Sequence, residues 1–298
     1  MSKITQWASK DGQFRRHDSV FRDWISRKQG SVFMPERDRY HLYISHACPW
    51  AHRVAIVRTL KGLEEVLPLS VVSWHMGDKG WAFDPSIENA TDEPLYGYKH
   101  LSDLYFKAQS DYSGRYTVPV LWDKKNETIV SNESSEIIRM LYHEFDEFVD
   151  EAQAKLDLLP KHLESDIDEM NKWIYDTVNN GVYKSGFATT QEAYESNVIP
   201  LFKSLDRLES ILKDSKGPYL CGTAFTEADI RLFTTIIRFD PVYVQHFKCN
   251  IGMIRYDFPH LHTWLRHLYW DFPPIRDTVF FDHIKKHYTK VESVFFDC

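Results

Sequence analysis

The stretch Tyr40–Lys61, YHLYISHACPWAHRVAIVRTLK, constrains the chain more than any other. It opens as a run of β-formers and continues in helical period, with one cysteine at the change, so it reads strand, turn, helix. Cys48 falls at the N-cap, and Pro49 takes the first helical position, where a missing N–H costs nothing and a fixed φ helps. Trp50, Val54 and Val57 share a face, Ala51 and Ala55 allow close packing, and Gly62 is placed as a C′ stop. A sulfur at that junction meets the positive end of a helix dipole and backbone N–H groups, conditions that favour thiolate over thiol.

Two plainer readings compete. A buried cysteine is commonly a small hydrophobe, and His46, Cys48 and His52 together contain zinc-ligand types. The spacing matches no paired Cys/His pattern and no second cluster supplies a fourth ligand, so no metal is expected. Ala51 stands where a dithiol oxidoreductase carries its second cysteine. A lone thiol there must take its partner from a small molecule.

At 298 residues the chain holds one large or two ordinary domains, and 43% hydrophobic residues supply a packed core. A net charge of -7 without a basic stripe argues against nucleic acid as a partner. Cys48, Cys221, Cys249 and Cys298 lack framework spacing, which fits a reducing compartment and no structural disulfide. No apolar leader or spanning stretch is present, so a soluble, cytoplasmic protein without membrane association is expected. Residues 1–38 read as an N-terminal arm packed on the body.

Downstream, Leu67–Val72 suits a buried parallel strand and completes a βαβ unit. Periodicity lapses over residues 73–116, where Trp74, Trp81, Tyr96, Tyr98 and Tyr105 favour an ordered, site-covering insertion. Thr117–Asp123 resumes the β pattern, with Pro119 at its entry; alone it reads as an edge strand with a trans proline. Thr128–Leu141 is a strand running into a helix, where Glu133, Ser134 and Ser135 are ordinary capping groups on their own evidence. The acid-rich His143–Pro160 is the candidate linker. Beyond Lys161 only helical spacing recurs, broken at Asn179–Gly181; Tyr194–Leu212 is in register, and Thr226-x-x-Asp229 is a capping-box start for a buried helix.

These residues carry a resemblance. CPWA after the first strand, TVPVLWD, SNESSEII and YLCGTAFTEADIRLF together resemble a cysteine-type glutathione transferase, and GWAFD, NNGVYKSGFA, RFDPVYVQHFKCN and HIKKHYT resemble the glutathionyl-hydroquinone reductases of its xi class. It covers nearly the whole chain from about Arg39. It implies the glutathione transferase fold: an α/β thioredoxin-like domain (39–145, with the 73–116 insertion) followed by an all-α substrate domain (161–298). It also implies a cis Val118–Pro119 bond and a homodimer. Glutathione is the implied co-substrate, without a metal, and glutathionylated aromatic molecules are the implied substrates. Cys48 is then the nucleophile and Tyr183 the proton donor, with Tyr243 and Tyr288 near the thiolate. Trp81, Arg115, Val118, Glu133 and Ser134 hold glutathione, Glu133 and Ser134 taking its γ-glutamyl end. An omega-type thiol transferase acting on dehydroascorbate would share Cys48 and Glu133–Ser134 without needing the three tyrosines. A non-catalytic scaffold of the same fold would not need the intact CPWA.

Overall fold

The computed structural model describes residues 7–291. Its chain divides into two units: Asp18–Leu156 with the segment from Asp277 onward, and residues 7–17 with Asp157–Arg276. This partition departs from the sequence-derived boundaries at both ends. The arm is shared between the units, and the closing helix, which carries Tyr288, belongs to the first unit rather than to the helical one. Cys298 lies outside the described residues.

The first unit is built on a four-stranded sheet in the order β2-β1-β5-β6. Strand β1 (Tyr40–Ile44) pairs in parallel with β2 (Leu69–Val71) and antiparallel with β5 (Val120–Asp123), which pairs antiparallel with β6 (Thr128–Ser131). Every residue of β1 is buried, as expected of a strand covered on both faces. Helix α1 (Pro49–Leu60) crosses between β1 and β2 and packs against α3 (Ser134–His143). Arg39 and Asp123 form a buried bidentate pair, Nε–Oδ1 2.9 Å and Nη2–Oδ2 2.7 Å, that ties the start of β1 to the end of β5. Pro119 immediately precedes β5, where its missing N–H breaks no ladder bond, and Val118–Pro119 is cis, as the resemblance implies. With a partner on each side, β5 is a central strand and not an edge.

The insertion contains a hairpin of β3 (Met76–Gly77) and β4 (Gly80–Trp81) and the helix α2 (Leu101–Ala108), which lapsed periodicity does not reveal. Its order comes from the buried Glu93. That carboxylate accepts the Tyr43 hydroxyl at 2.7 Å and the Leu95 and Tyr96 N–H groups at 3.0 and 2.7 Å. A long loop thus meets its backbone requirement with one side chain.

The second unit is helical. Helix α4 (Glu164–Ile174) runs through a π turn (Tyr175–Asn179) into α5 (Gly181–Gly186), followed by α6 (Gln191–Asp214). Helix α7 (Glu227–Arg238) ends in a second π turn (Phe239–Tyr243), and α8 (Pro259–Asp271) follows. Leu201, Leu205, Leu208 and Leu212 bury the expected stripe of α6. The Thr226–Asp229 capping box is closed in both directions, and nearly all of α7 is buried. Helix α9 (Phe281–Val291) returns to the first unit.

Candidate active site

Cys48 is the N-cap of α1 in extended conformation (φ -78°, ψ 120°), half-buried, with Pro49 at N1. Its N–H donates to the Ser45 carbonyl (3.1 Å) and its carbonyl accepts the first helical bond from His52 (3.0 Å). Its side chain makes no cap bond to the helix. Instead Sγ lies 3.6 Å from the Val118 carbonyl, within sulfur hydrogen-bond reach. The far end of α1 closes by a Schellman motif, Gly62 N–H to Thr59 O (3.1 Å) and Leu63 N–H to Arg58 O (2.9 Å), with Gly62 at φ +63°. The helix is therefore fixed at both ends and presents a thiol at its positive pole. Cys249 is buried and Cys221 half-buried, and burial pushes both thiols up, away from reactivity.

A second corner forms at the start of α3. Glu133 is the N-cap, its Oε1 accepting the Ser135 N–H (3.0 Å) and hydroxyl (2.8 Å), and Ser134 is the buried first helical residue. Burial pushes the Glu133 carboxyl up, but the Ser135 bonds, the Arg53 charge and the Ser19 hydroxyl together hold it below its ordinary range. Asn132 just before it donates to the Tyr105 hydroxyl (3.1 Å), which donates in turn to the Thr117 carbonyl (2.8 Å). This chain of bonds sets the loop carrying Val118 relative to α3. Arg115 lies in the same loop, its carbonyl accepting the Tyr112 hydroxyl at 2.9 Å.

Trp81, buried in the β3–β4 hairpin, stacks on His287 of α9 at 5.1 Å between ring centroids. His287 Nδ1 lies 2.8 Å from the Trp74 carbonyl, and Tyr288 beside it is buried. The same terminal segment reaches the thiol region through Thr278 Oγ1, 2.9 Å from His52 Nε2, and Phe280, stacked on His46 at 3.6 Å. Seven predicted residues, Cys48, Trp81, Arg115, Val118, Glu133, Ser134 and Tyr288, thus belong to the first unit.

Tyr183 and Tyr243 belong to the second unit, ring centroids 6.1 Å apart. Phe247 packs against both, 5.2 Å from Tyr183 and 5.3 Å from Tyr243. A Cβ on Gly186 would stand 2.3 Å from the Phe247 ring, which explains the glycine closing NGVYKSG. Arg16 from the arm covers the Tyr183 ring at 5.2 Å and donates to Asn180 Oδ1 at 2.8 Å. Each tyrosine follows or ends a π turn, a local widening often associated with functional sites. Pro241 gives one turn its cause, since it cannot donate to the ladder. The break in helical spacing at Asn179–Gly181 falls at the end of the other turn. Ser19 and Arg53 lie outside every motif that carries the resemblance, and Asn132 and His287 stand inside SNESSEII and HIKKHYT with nothing to single them out.

Residues 47–144 match the family model described as the glutathione S-transferase N-terminal domain, and residues 191–267 its C-terminal domain. The chain belongs to the glutathione transferase family. A Schizosaccharomyces pombe protein named glutathione S-transferase omega-like 2 is 59% identical, over 96% of this chain and 91% of its own. The Escherichia coli glutathionyl-hydroquinone reductase YqjG is 53% identical, over 94% of this chain and 85% of its own. The crystal structure of the xi glutathione transferase of Phanerochaete chrysosporium superposes with a TM-score of 0.93 at 56% identity, covering 96% and 91% of the two chains. The glutathione-bound structure of YqjG superposes with a TM-score of 0.87 at 51% identity, covering 95% and 91%. This glutathione transferase is accordingly of the xi class, with the thioredoxin-like and helical units of that fold, and is a glutathione-dependent reductase or transferase. Among its described residues no helix is long and apolar enough to cross a membrane.

Proposed function

We propose that this chain removes glutathione from S-glutathionyl-hydroquinones. The Cys48 thiolate attacks the glutathionyl sulfur; the aryl carbon–sulfur bond breaks, its electron pair stays on the ring carbon, and a proton delivered there completes the hydroquinone. Glutathione is left disulfide-bonded to Cys48. A second glutathione thiolate attacks the glutathionyl sulfur of that disulfide, releasing oxidised glutathione and the Cys48 thiolate. Tyr183 is the proton donor in this reading, with Tyr243 and Tyr288 lining the aromatic pocket. Trp81, Arg115, the Val118 backbone, Glu133 and Ser134 hold glutathione. The protein works as a homodimer in the cytoplasm, where thiols stay reduced.

The observation that carries the reading is the N-cap placement of Cys48, half-buried at the positive pole of α1 with Ala51 in the resolving position. The relatives named glutathionyl-hydroquinone reductase from Escherichia coli and Sphingobium chlorophenolicum support the substrate class. The omega-like names of the yeast relatives favour a second reading, thiol transfer from small disulfides or reduction of dehydroascorbate.

Disulfide exchange needs only a thiolate and a thiol leaving group, whereas aryl carbon–sulfur cleavage also needs a proton on the ring. Tyr183→Phe is therefore expected to keep thiol transfer and to lower hydroquinone reduction by roughly 10²–10⁴-fold, the worth of a positioned general acid. Steady-state rates on both substrates decide it. Equal losses would assign Tyr183 to folding or glutathione binding, and no loss on either would move the proton to Tyr243 or Tyr288.

A further inference from the structure

The N-terminal arm lies outside both family-model matches, yet part of it borders the Glu133 corner. Ser19 Oγ is 3.1 Å from Glu133 Oε2 and 3.2 Å from the Asn132 carbonyl. Phe21 and Asn132 bond in both directions, Asn132 N–H to Phe21 O at 3.1 Å and Phe21 N–H to Asn132 Oδ1 at 3.2 Å. The Asp23 N–H donates to Val130 O at 2.9 Å, and the Arg22 guanidinium grips Glu136 by two bonds, 2.7 and 2.5 Å. Four residues of the arm segment Ser19–Asp23 thus bond to β6, to Asn132 and Glu133 beyond it, and to the first turn of α3.

A carboxylate has about four acceptor positions, two on each oxygen. On Glu133, Oε1 is filled by the two Ser135 donors, and Oε2 shares the single Ser19 hydroxyl proton with the Asn132 carbonyl, with one position remaining. We propose that Ser19 is a positioning residue of the glutathione site, holding Glu133 Oε2 in place for the ammonium of the γ-glutamyl group. The proposal rests on the assignment of Glu133 to that ammonium. A hydroxyl suits the task because it orients the anion without adding a charge, whereas a lysine there would compete with the ligand's own cation. Without it, Oε2 keeps no donor among the described residues and the carboxylate loses its second anchor.

Calorimetric titration of the full chain tests this with two probes, glutathione and its analogue lacking only the γ-glutamyl α-amino group. Ser19→Ala is expected to weaken glutathione about 3- to 10-fold, the scale of one hydrogen bond acting through a charged group, and to leave the analogue nearly unchanged. Ser19→Thr restores the affinity, and Ser19→Ala adds nothing in a Glu133→Ala background. The alkylation rate of Cys48 by iodoacetamide stays at the parent value. Parent-like glutathione binding by Ser19→Ala, with Glu133→Ala impaired, would overturn the role of Ser19. Equal losses on both probes would overturn it too, by showing a general structural effect. If Glu133→Ala itself binds glutathione normally, the underlying assignment of Glu133 fails instead.

Discussion

Two helix starts in this protein answer the same electrostatic problem in opposite ways. At the head of α7, Thr226 and Asp229 close a capping box, and the Asp229 carboxylate also accepts the Leu220 N–H at 3.0 Å and the Trp264 indole at 2.9 Å. At the head of α1, the N-cap is a thiol that makes no such bond and lies against the Val118 carbonyl. The first arrangement uses the helix pole to anchor a core. The second keeps a polarising field around an atom that reacts, so the same backbone geometry yields stability in one unit and chemistry in the other.

Exchanging the two losses is the sharpest way to break the comparison. Cys48→Ala is expected to abolish turnover with a melting temperature close to the parent's, because no cap bond is removed. It should also abolish the glutathione adduct seen by mass spectrometry. Residual turnover would mean that another group is the nucleophile. Asp229→Ala is expected to cost roughly 3–5 kcal/mol in urea unfolding, because several N–H donors lose one buried acceptor together. A loss below 1 kcal/mol would show that water replaces the carboxylate.

Next in size is a pH effect of opposite sign in the two units. Burial, assisted by the Lys124 charge, lowers the His41 pKa to about 4. That group's contribution is full above its unfolded value near 6.5 and is lost as pH falls toward 4, up to about 3 kcal/mol. Burial raises Asp229 to about 6 against its hydrogen bonds, so its contribution is full below about 4 and is lost, by a similar amount, as pH rises through 6. Hydrogen exchange resolved by unit between pH 4 and 7 should show the first unit weakening in acid relative to His41→Gln, and the second strengthening relative to Asp229→Asn. Parallel slopes in the parent and these variants would remove both groups as the cause.

The smallest expected effect concerns binding. Glu133→Ala is expected to weaken glutathione by about 1.5–3 kcal/mol, the range for a charge-assisted hydrogen bond, with little change in the folded fraction. Unfolding of the variant with normal binding by its native remainder would reduce Glu133 to a cap.

What the sequence discloses follows from how local the cause is. The α1 start, its Gly62 stop, the Glu133 N-cap and the Thr226–Asp229 box each depend on residues within one turn of each other, and all four are legible. The cis Val118–Pro119 bond came from resemblance, since its neighbours alone suit a trans proline. The insertion was legible as ordered but not as hairpin and helix, because Glu93 meets Tyr43 across fifty residues of chain. Pairings at long range, such as Ser19 with Glu133 or His287 with Trp81, leave no periodic trace. The grouping of α9 with the first unit is non-local in the same way: it reads as one more amphipathic helix, and only its contacts assign it there.

That assignment has a consequence for the order in which the molecule is made. Thr278, Phe280 and His287 lie some 230 residues downstream of the β1–α1 junction in the growing polypeptide, and the Asp157–Arg276 part of the helical unit is synthesised between them. A nascent chain can lay down its sheet and present Cys48 early, but the His52, His46 and Trp81 partners emerge last. The contacts that His52, His46 and Trp81 make with that segment can therefore form only after Thr278–His287 has left the exit tunnel.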